Sequence, residues 1–227
     1  MKMKPRKVIV SWSSGKDSAL TLLRLLENPG YEVTGLFTTY VGDEVPFQAT
    51  PITVVREQAR LIGLPLLEIP LPQVFPANEV YQSLVVAAIQ NSGWETEAVA
   101  FGDMFCNGIE AYRRSYIEPA GWECVFPLLG EESRQLALEI LNRGIQTILT
   151  TVDTHQLNGD FCGQWFGHSL LEQLPEGVDP CGEDGEFHTL VVSAPCFHGQ
   201  LNISPLFVER EERFHYLRYQ ISASDSQ

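Results

Sequence analysis

From residue 7 to about residue 152, short apolar runs alternate with amphipathic helical stripes, and this rhythm constrains the fold more than any other feature. KVIVSW at 7–12 reads as a strand, and residues 18–27 set Leu22, Leu23, Leu25 and Leu26 on a broad helical stripe. The pattern repeats with EVTGLFTTY as a strand, TVVREQARLIG as a helix and LPLLEIPL as a short buried strand punctuated by prolines. A helix over 78–91 follows, then AVAFGD ending in a turn. AYRRSYIEPAG suggests a short helix stopped near Pro119-Ala120-Gly121. ECVFPLL is strand-like, ESRQLALEILNRG is a helix closed by Gly144, and IQTILTTV is a further strand of the same series. Parallel pairing is implied, so the expected fold class is α/β, a doubly wound and mostly parallel sheet with right-handed crossovers.

After Val152 the rhythm changes. Residues 153–187 are rich in glycine and polar turns, which suggests short helices and loops forming a lid or small second lobe. HTLVVSAP returns to strand character, Leu206 to Tyr219 adds strands, and the polar end SASDSQ is expected to fray. The expected division is a main α/β domain over 1–152 and a smaller C-terminal lobe over 153–227. A length of 227 residues, long for one domain and short for two, agrees with that division.

Composition narrows the partners. A formal charge of -14, from 29 acidic against 15 basic residues, repels an extended phosphate backbone, so nucleic-acid binding is disfavoured. One small anion held by a local basic cluster remains compatible with it. No apolar run approaches the roughly 20 residues of a membrane helix, and MKMKPRK leads straight into a strand, so no membrane association and a cytoplasmic address are expected. Cys106, Cys124, Cys162, Cys181 and Cys196 form no C-x-x-C pair, which points to buried or incidental thiols.

The loop Ser13-Ser14-Gly15-Lys16-Asp17-Ser18 lies between the first strand and the first helix. A phosphate-binding turn needs backbone N–H groups aimed at one anion, and Gly15 permits close approach. A helix start adds the positive end of its dipole. Ser13, Ser14 and Ser18 supply hydroxyls and Lys16 a charge, while Asp17 is placed to hold magnesium or orient the loop. It is not a Walker A loop, because Val10 stands five residues before Gly15 and Asp17 follows the lysine. Asp103, following Gly102 at the end of a strand, sits where open α/β sheets place ligands. A second dense group, Gly182-Glu183-Asp184-Gly185-Glu186-Phe187-His188-Thr189, puts carboxylates and an imidazole at a strand entry. If Glu186 and His188 both lie on that strand they share a face, which suits a general base, an ammonia-binding carboxylate or a magnesium site. The other histidines stand apart and are assigned nothing.

The first loop resembles the S-G-G-K-D-S PP-loop of N-type ATP pyrophosphatases, with Ser14 where that pattern has its first glycine. The late element resembles the G-E-x-G-E-[FY]-x-T segment of diphthine ammonia ligase, a PP-loop family. Between them Val99–Asp103 is similar to that family's apolar-strand-Gly-Asp segment, and Arg113 or Arg114 with Glu118 to its following Arg and Glu. Leu129 stands where tryptophan is frequent, and Asp184 fills the variable slot. The Trp-Ser-Ser opening is similar to that of bacterial relatives, and bacteria do not make diphthamide.

The resemblance implies a HUP-type α/β domain with ATP and magnesium as cofactors, and an amide ligase that adenylates a carboxylate and releases AMP and pyrophosphate. Ammonia would be the nitrogen donor, the acceptor would be an unidentified carboxylate, and a homodimer is compatible with it. Its catalytic residues would be Lys16, Asp17, Glu183 and Glu186. ATP would be bound by residues 13–18 with Gly102, Asp103 and Arg114, and magnesium by Asp17. Two other classes compete: a tRNA-modifying PP-loop enzyme, opposed by the charge and the missing C-x-x-C, and a non-catalytic adenine-nucleotide sensor.

Overall fold

The computed structural model describes residues 4–46, 48–105 and 107–222, so Cys106 and the tail residues 223–227 lie outside the described residues. In chain order the first half runs β1 (Arg6–Ser11), α1 (Lys16–Glu27), β2 (Tyr31–Tyr40), a short hairpin of β3 (Glu44–Val45) and β4 (Thr50–Pro51), α2 (Ile52–Ile62), β5 (Leu66–Pro70) and α3 (Asn78–Asn91). The second half runs β6 (Ala98–Ala100), α4 (Ile109–Ile117), β7 (Glu123–Val125), α5 (Ser133–Asn142), β8 (Gln146–Asp153), α6 (His168–Gln173), β9 (Phe187–Ser193), β10 (Asn202–Arg210) and β11 (Phe214–Ser222).

Five strands form a parallel sheet in the order β5-β2-β1-β6-β7. Side-chain alternation along β1 sends Val8 and Val10 to one face and Ile9 to the other, and all three are fully buried. Val85 and Ile89 of α3 and Ile117 of α4 join Ile9 on its face. Leu20 and Leu22 of α1 and Val55 of α2 pack with Val8 and Val10 opposite. Burial on both faces is what a parallel sheet requires, and it explains why these strands read as continuous apolar runs. The chain builds outward from β1 through β2 to β5, then returns to β6 and β7 on the other side. The order therefore reverses between β1 and β6, where a crevice opens beyond the carboxyl ends of the strands.

The strand at 146–153 departs from expectation. β8 leaves the parallel sheet and forms a second, antiparallel one in the order β10-β11-β8-β9. From Thr147 to Asp153 it is buried on both faces, and apolar periodicity cannot distinguish such a strand from a central parallel one. Helix α5 ends as expected, with Gly144 in the left-handed region at φ 74°. Residues 154–186 hold short elements and turns, and β10 begins at Asn202, ahead of the strand expected from Leu206. Among the described residues, no helix is long and apolar enough to cross a membrane. Cys124, Cys162, Cys181 and Cys196 are free thiols, the first three buried.

Candidate active site at the strand-order reversal

The loop expected to cradle phosphate follows β1 and opens α1 at the crevice. Ser13 N–H donates to Ser18 Oγ at 3.0 Å, and the hydroxyls of Ser13 and Ser18 lie 2.6 Å apart, so the turn closes on itself. Ser14 is fully buried in the left-handed region at φ 74°, a conformation that glycine adopts without penalty. Its hydroxyl donates to Gln48 Oε1 at 2.9 Å and lies 3.0 Å from Thr50 Oγ1. Gly15 caps α1. A Cβ there would lie 3.2 Å from the carbonyl oxygen of Thr189, so the close neighbour of this glycine is strand β9.

That contact belongs to a wider union of the two sheets. Val191 N–H donates to Ser14 O at 2.9 Å, and Lys16 N–H donates to Thr189 Oγ1 at 3.2 Å. The buried amide of Gln58 donates to Ser14 O at 3.3 Å and to Val191 O at 2.8 Å, and accepts from Trp12 Nε1 at 2.9 Å. Lys16 is only 2% exposed. Its ammonium donates to Asp17 Oδ2 at 2.9 Å and to the Cys181 carbonyl, with the Phe166 and Phe187 rings 5.8 and 5.6 Å away. Burial is the largest influence and opposes its charge, but Asp17, Cys181 and Glu183 together outweigh it and raise the pKa, so the ammonium stays protonated.

Between the loop, the β6 turn and the 181–189 segment lies a cavity of about 240 Å³. Ser13, Gly15, Lys16, Asp17 and Ser18 line it from one side, Gly102, Asp103 and Arg113 from a second, and Cys181 to Glu183 with His188 and Thr189 from a third. Gly102 permits the approach, since a Cβ there would stand 3.2 Å from the Asp17 carbonyl carbon and from Thr21 Oγ1. Arg113 Nε donates to Asp103 Oδ2 at 3.1 Å, and its guanidinium stacks 4.6 Å from the Phe101 ring centre while donating to the Tyr81 and Tyr116 hydroxyls.

Three residues expected here do not line the cavity: Ser14, whose buried hydroxyl turns to Gln48 and Thr50, Arg114 and Glu186. Arg114 pairs with Glu110 at 2.9 Å and Glu118 at 2.5 Å on the outer side of α4, because adjacent helical residues differ by about 100° in direction. Glu186 is 2% exposed, does not line the cavity and precedes β9 instead of sharing its face with His188; its Oε1 accepts the Asp179 N–H at 2.8 Å. Glu183 does line it. Burial first, then the Asp17 and Asp103 charges, push its carboxyl up to about 8, while burial and the Lys16 charge lower His188 to about 4. At neutral pH the carboxyl holds its proton and the imidazole is neutral. Gln48 and Gln58 carry no signal in the sequence, because each reaches the loop across 34 and 44 residues respectively.

A match to a known family falls in the C-terminal half. Residues 132–223 match the family model of the diphthamide synthase C-terminal domain. This matched segment, less than half of the chain, begins beside α5, holds the whole antiparallel sheet, and supplies the Cys181, Glu183 and Thr189 wall of the cavity. Its late element is the one whose resemblance to that family the sequence displays. No curated protein is significantly similar to the chain. Among solved structures, a predicted subunit of tRNA methyltransferase from Methanocaldococcus jannaschii is 19% identical at a TM-score of 0.40, covering 62% of this chain and 77% of the other. The U34-tRNA thiolase NcsA from Methanococcus maripaludis is 17% identical at 0.40, covering 63% and 59%. Likenesses this distant carry no argument about function.

Proposed function

We propose that this protein is an ATP-utilising PP-loop enzyme that adenylates a carboxylate and transfers it to ammonia, releasing AMP and pyrophosphate. One observation carries the reading: two motifs 164 residues apart, at Ser18 and Gly182, line a single cavity at the strand-order reversal. In this reading the N–H groups of Asp17 and Ser18, which helix geometry leaves without intrahelical acceptors, meet the phosphates with the α1 dipole behind them. The hydroxyls of Ser13 and Ser18 add donors.

Magnesium fits the donor set. Asp17 Oδ1 is buried without a hydrogen-bond partner, and it is a hard oxygen at the cavity wall. An ion here would be held by one or two carboxylates and by substrate phosphates, as magnesium in nucleotide sites commonly is. Asp17 would hold it, with Asp103 the next oxygen donor, and it would neutralise the leaving pyrophosphate. Arg113, fixed by Asp103, the Phe101 ring and the Tyr81 and Tyr116 hydroxyls, presents a rigid positive charge to the same space.

The acceptor carboxylate attacks the α-phosphorus, the bond to the bridging oxygen breaks, and pyrophosphate leaves. Ammonia then attacks the acyl carbon and AMP departs. The surplus proton passes to Glu183 in the minority of molecules where it is ionised at neutral pH, a fraction that grows as pH approaches about 8. The test is incubation with MgATP, ammonium and a panel of carboxylates, following AMP and pyrophosphate. Equimolar AMP and pyrophosphate that depend on both acceptor and ammonium support the reading. Release of ADP, or nucleotide bound without turnover under every condition, would overturn it.

A further inference from the structure

The turn that brings Glu183 to the cavity is organised around a residue that does not line it. A single oxygen of Asp179, Oδ1, accepts from the Ser133 hydroxyl at 2.7 Å, from Cys181 N–H at 2.8 Å and from Glu183 N–H at 3.2 Å. The Asp179 carbonyl accepts Gly182 N–H at 2.9 Å, and its own N–H donates to Glu186 Oε1 at 2.8 Å. Gly182, at φ 70°, completes the reversal, and a Cβ there would fall 2.7 Å from the Phe187 carbonyl oxygen. The backbone is thereby fixed on both sides of two functional atoms: the Cys181 carbonyl, which accepts the Lys16 ammonium, and the Glu183 carboxyl at the cavity wall.

We propose that Asp179 is a positioning residue for the nucleotide site, holding the 181–183 turn so that Cys181 meets Lys16 while Glu183 faces the cavity. The proposal rests on the ATP reading for its catalytic consequence but not for its structural one. Ser133 opens α5, so Asp179 also ties the turn to the helix that leads into the antiparallel sheet. Glu186 serves the same frame from behind by fixing the Asp179 backbone, which gives it a place in the site without contact with the cavity.

The experiment compares Asp179→Ala, Asp179→Asn and Ser133→Ala in the full chain. Asparagine retains an acceptor oxygen and alanine does not. Amide hydrogen exchange at Cys181 and Glu183 is expected to speed up about tenfold or more in Asp179→Ala, about threefold in Ser133→Ala, and little in Asp179→Asn. AMP formation should lose about tenfold or more in kcat in Asp179→Ala with KM for MgATP within about threefold, and Asp179→Asn should recover most of the loss. Unchanged exchange in Asp179→Ala, or an asparagine variant as impaired as alanine, overturns the proposal. If the wild-type protein forms no AMP with any acceptor, the ligase reading fails by itself, and exchange at the two amides still decides the role of Asp179. If Asp179→Ala does not fold, Ser133→Ala and Asp179→Asn decide it by the same readout.

Discussion

Ser14 carries two opposed contributions. Its left-handed backbone disfavours any residue with a Cβ by about 1 kcal/mol, while its buried hydroxyl bonds to Gln48 and approaches Thr50. Ser14→Gly removes both effects and should leave stability within about 1 kcal/mol of wild type. Ser14→Ala keeps the strain and loses the bond, so it should cost about 1–2 kcal/mol in urea denaturation. An alanine variant as stable as wild type would count against this balance. Glu183 gives a second test at this scale. Its folded pKa of about 8 lies above the ordinary 4.5, so between those values the folded chain holds a proton that the unfolded chain has released. Stability contributed by that proton is present below about pH 4.5 and is lost as pH rises through about 8. Glu183→Gln should therefore stabilise the fold by on the order of 2 kcal/mol near pH 8.5 and leave it unchanged near pH 4. An equal difference at both pH values would remove the assignment. The sequence already displays the loop at 13–18 and the carboxylates at 183 and 186. It does not display which carboxylate faces the cavity, because that depends on how the 179–186 turn folds on itself.

Helix phase separates Arg113 from Arg114. Residue type and spacing leave both open, and only the orientation of α4 against β6 and β7 chooses between them. Arg113 is enclosed by Asp103, Phe101, Tyr81 and Tyr116, so Arg113→Ala leaves Asp103 partly buried without its ion pair and should destabilise by about 2–4 kcal/mol, with loss of ATP binding. Arg114 makes two half-exposed i,i+4 pairs, and Arg114→Ala should shift stability by less than about 1 kcal/mol. Calorimetric ATP titration of both variants checks the contrast, and equal losses would return Arg114 to the site. Most other elements were legible because their apolar periods are strong. The exception, β8, shows what periodicity omits: it reports burial on two faces but not the direction of the neighbours. We accordingly propose moving the division of the chain from residue 152 to about residue 132, where α5 begins and the family match starts.

At the scale of the molecule, the two sheets are joined through the site itself. Strand β9 hydrogen-bonds to the loop backbone, Gln58 bridges Trp12, Ser14 and Val191, and the larger core cluster contains residues of both sheets, among them Val8, Val10, Ile148 and Leu190. Two lobes sharing a core in this way should unfold as one cooperative unit. A ligand bound in the cavity then stabilises the whole chain, by about 2.7 kcal/mol at a hundredfold excess over Kd, which for this size raises Tm by roughly 5–10 °C. Independent lobes would show two transitions, with MgATP moving only one. Gln58→Leu tests the same coupling from the protein side, because leucine fills the volume but strands the buried Trp12 indole N–H and takes one donor from each of the Ser14 and Val191 carbonyls. A loss of about 3 kcal/mol and a reduced MgATP shift are expected by scanning calorimetry. If Gln58→Leu retains the full nucleotide shift and a single transition at the wild-type temperature, β9 is held to the loop by apolar packing and its direct bonds to Ser14 and Lys16, and the Gln58 bridge is incidental to the site.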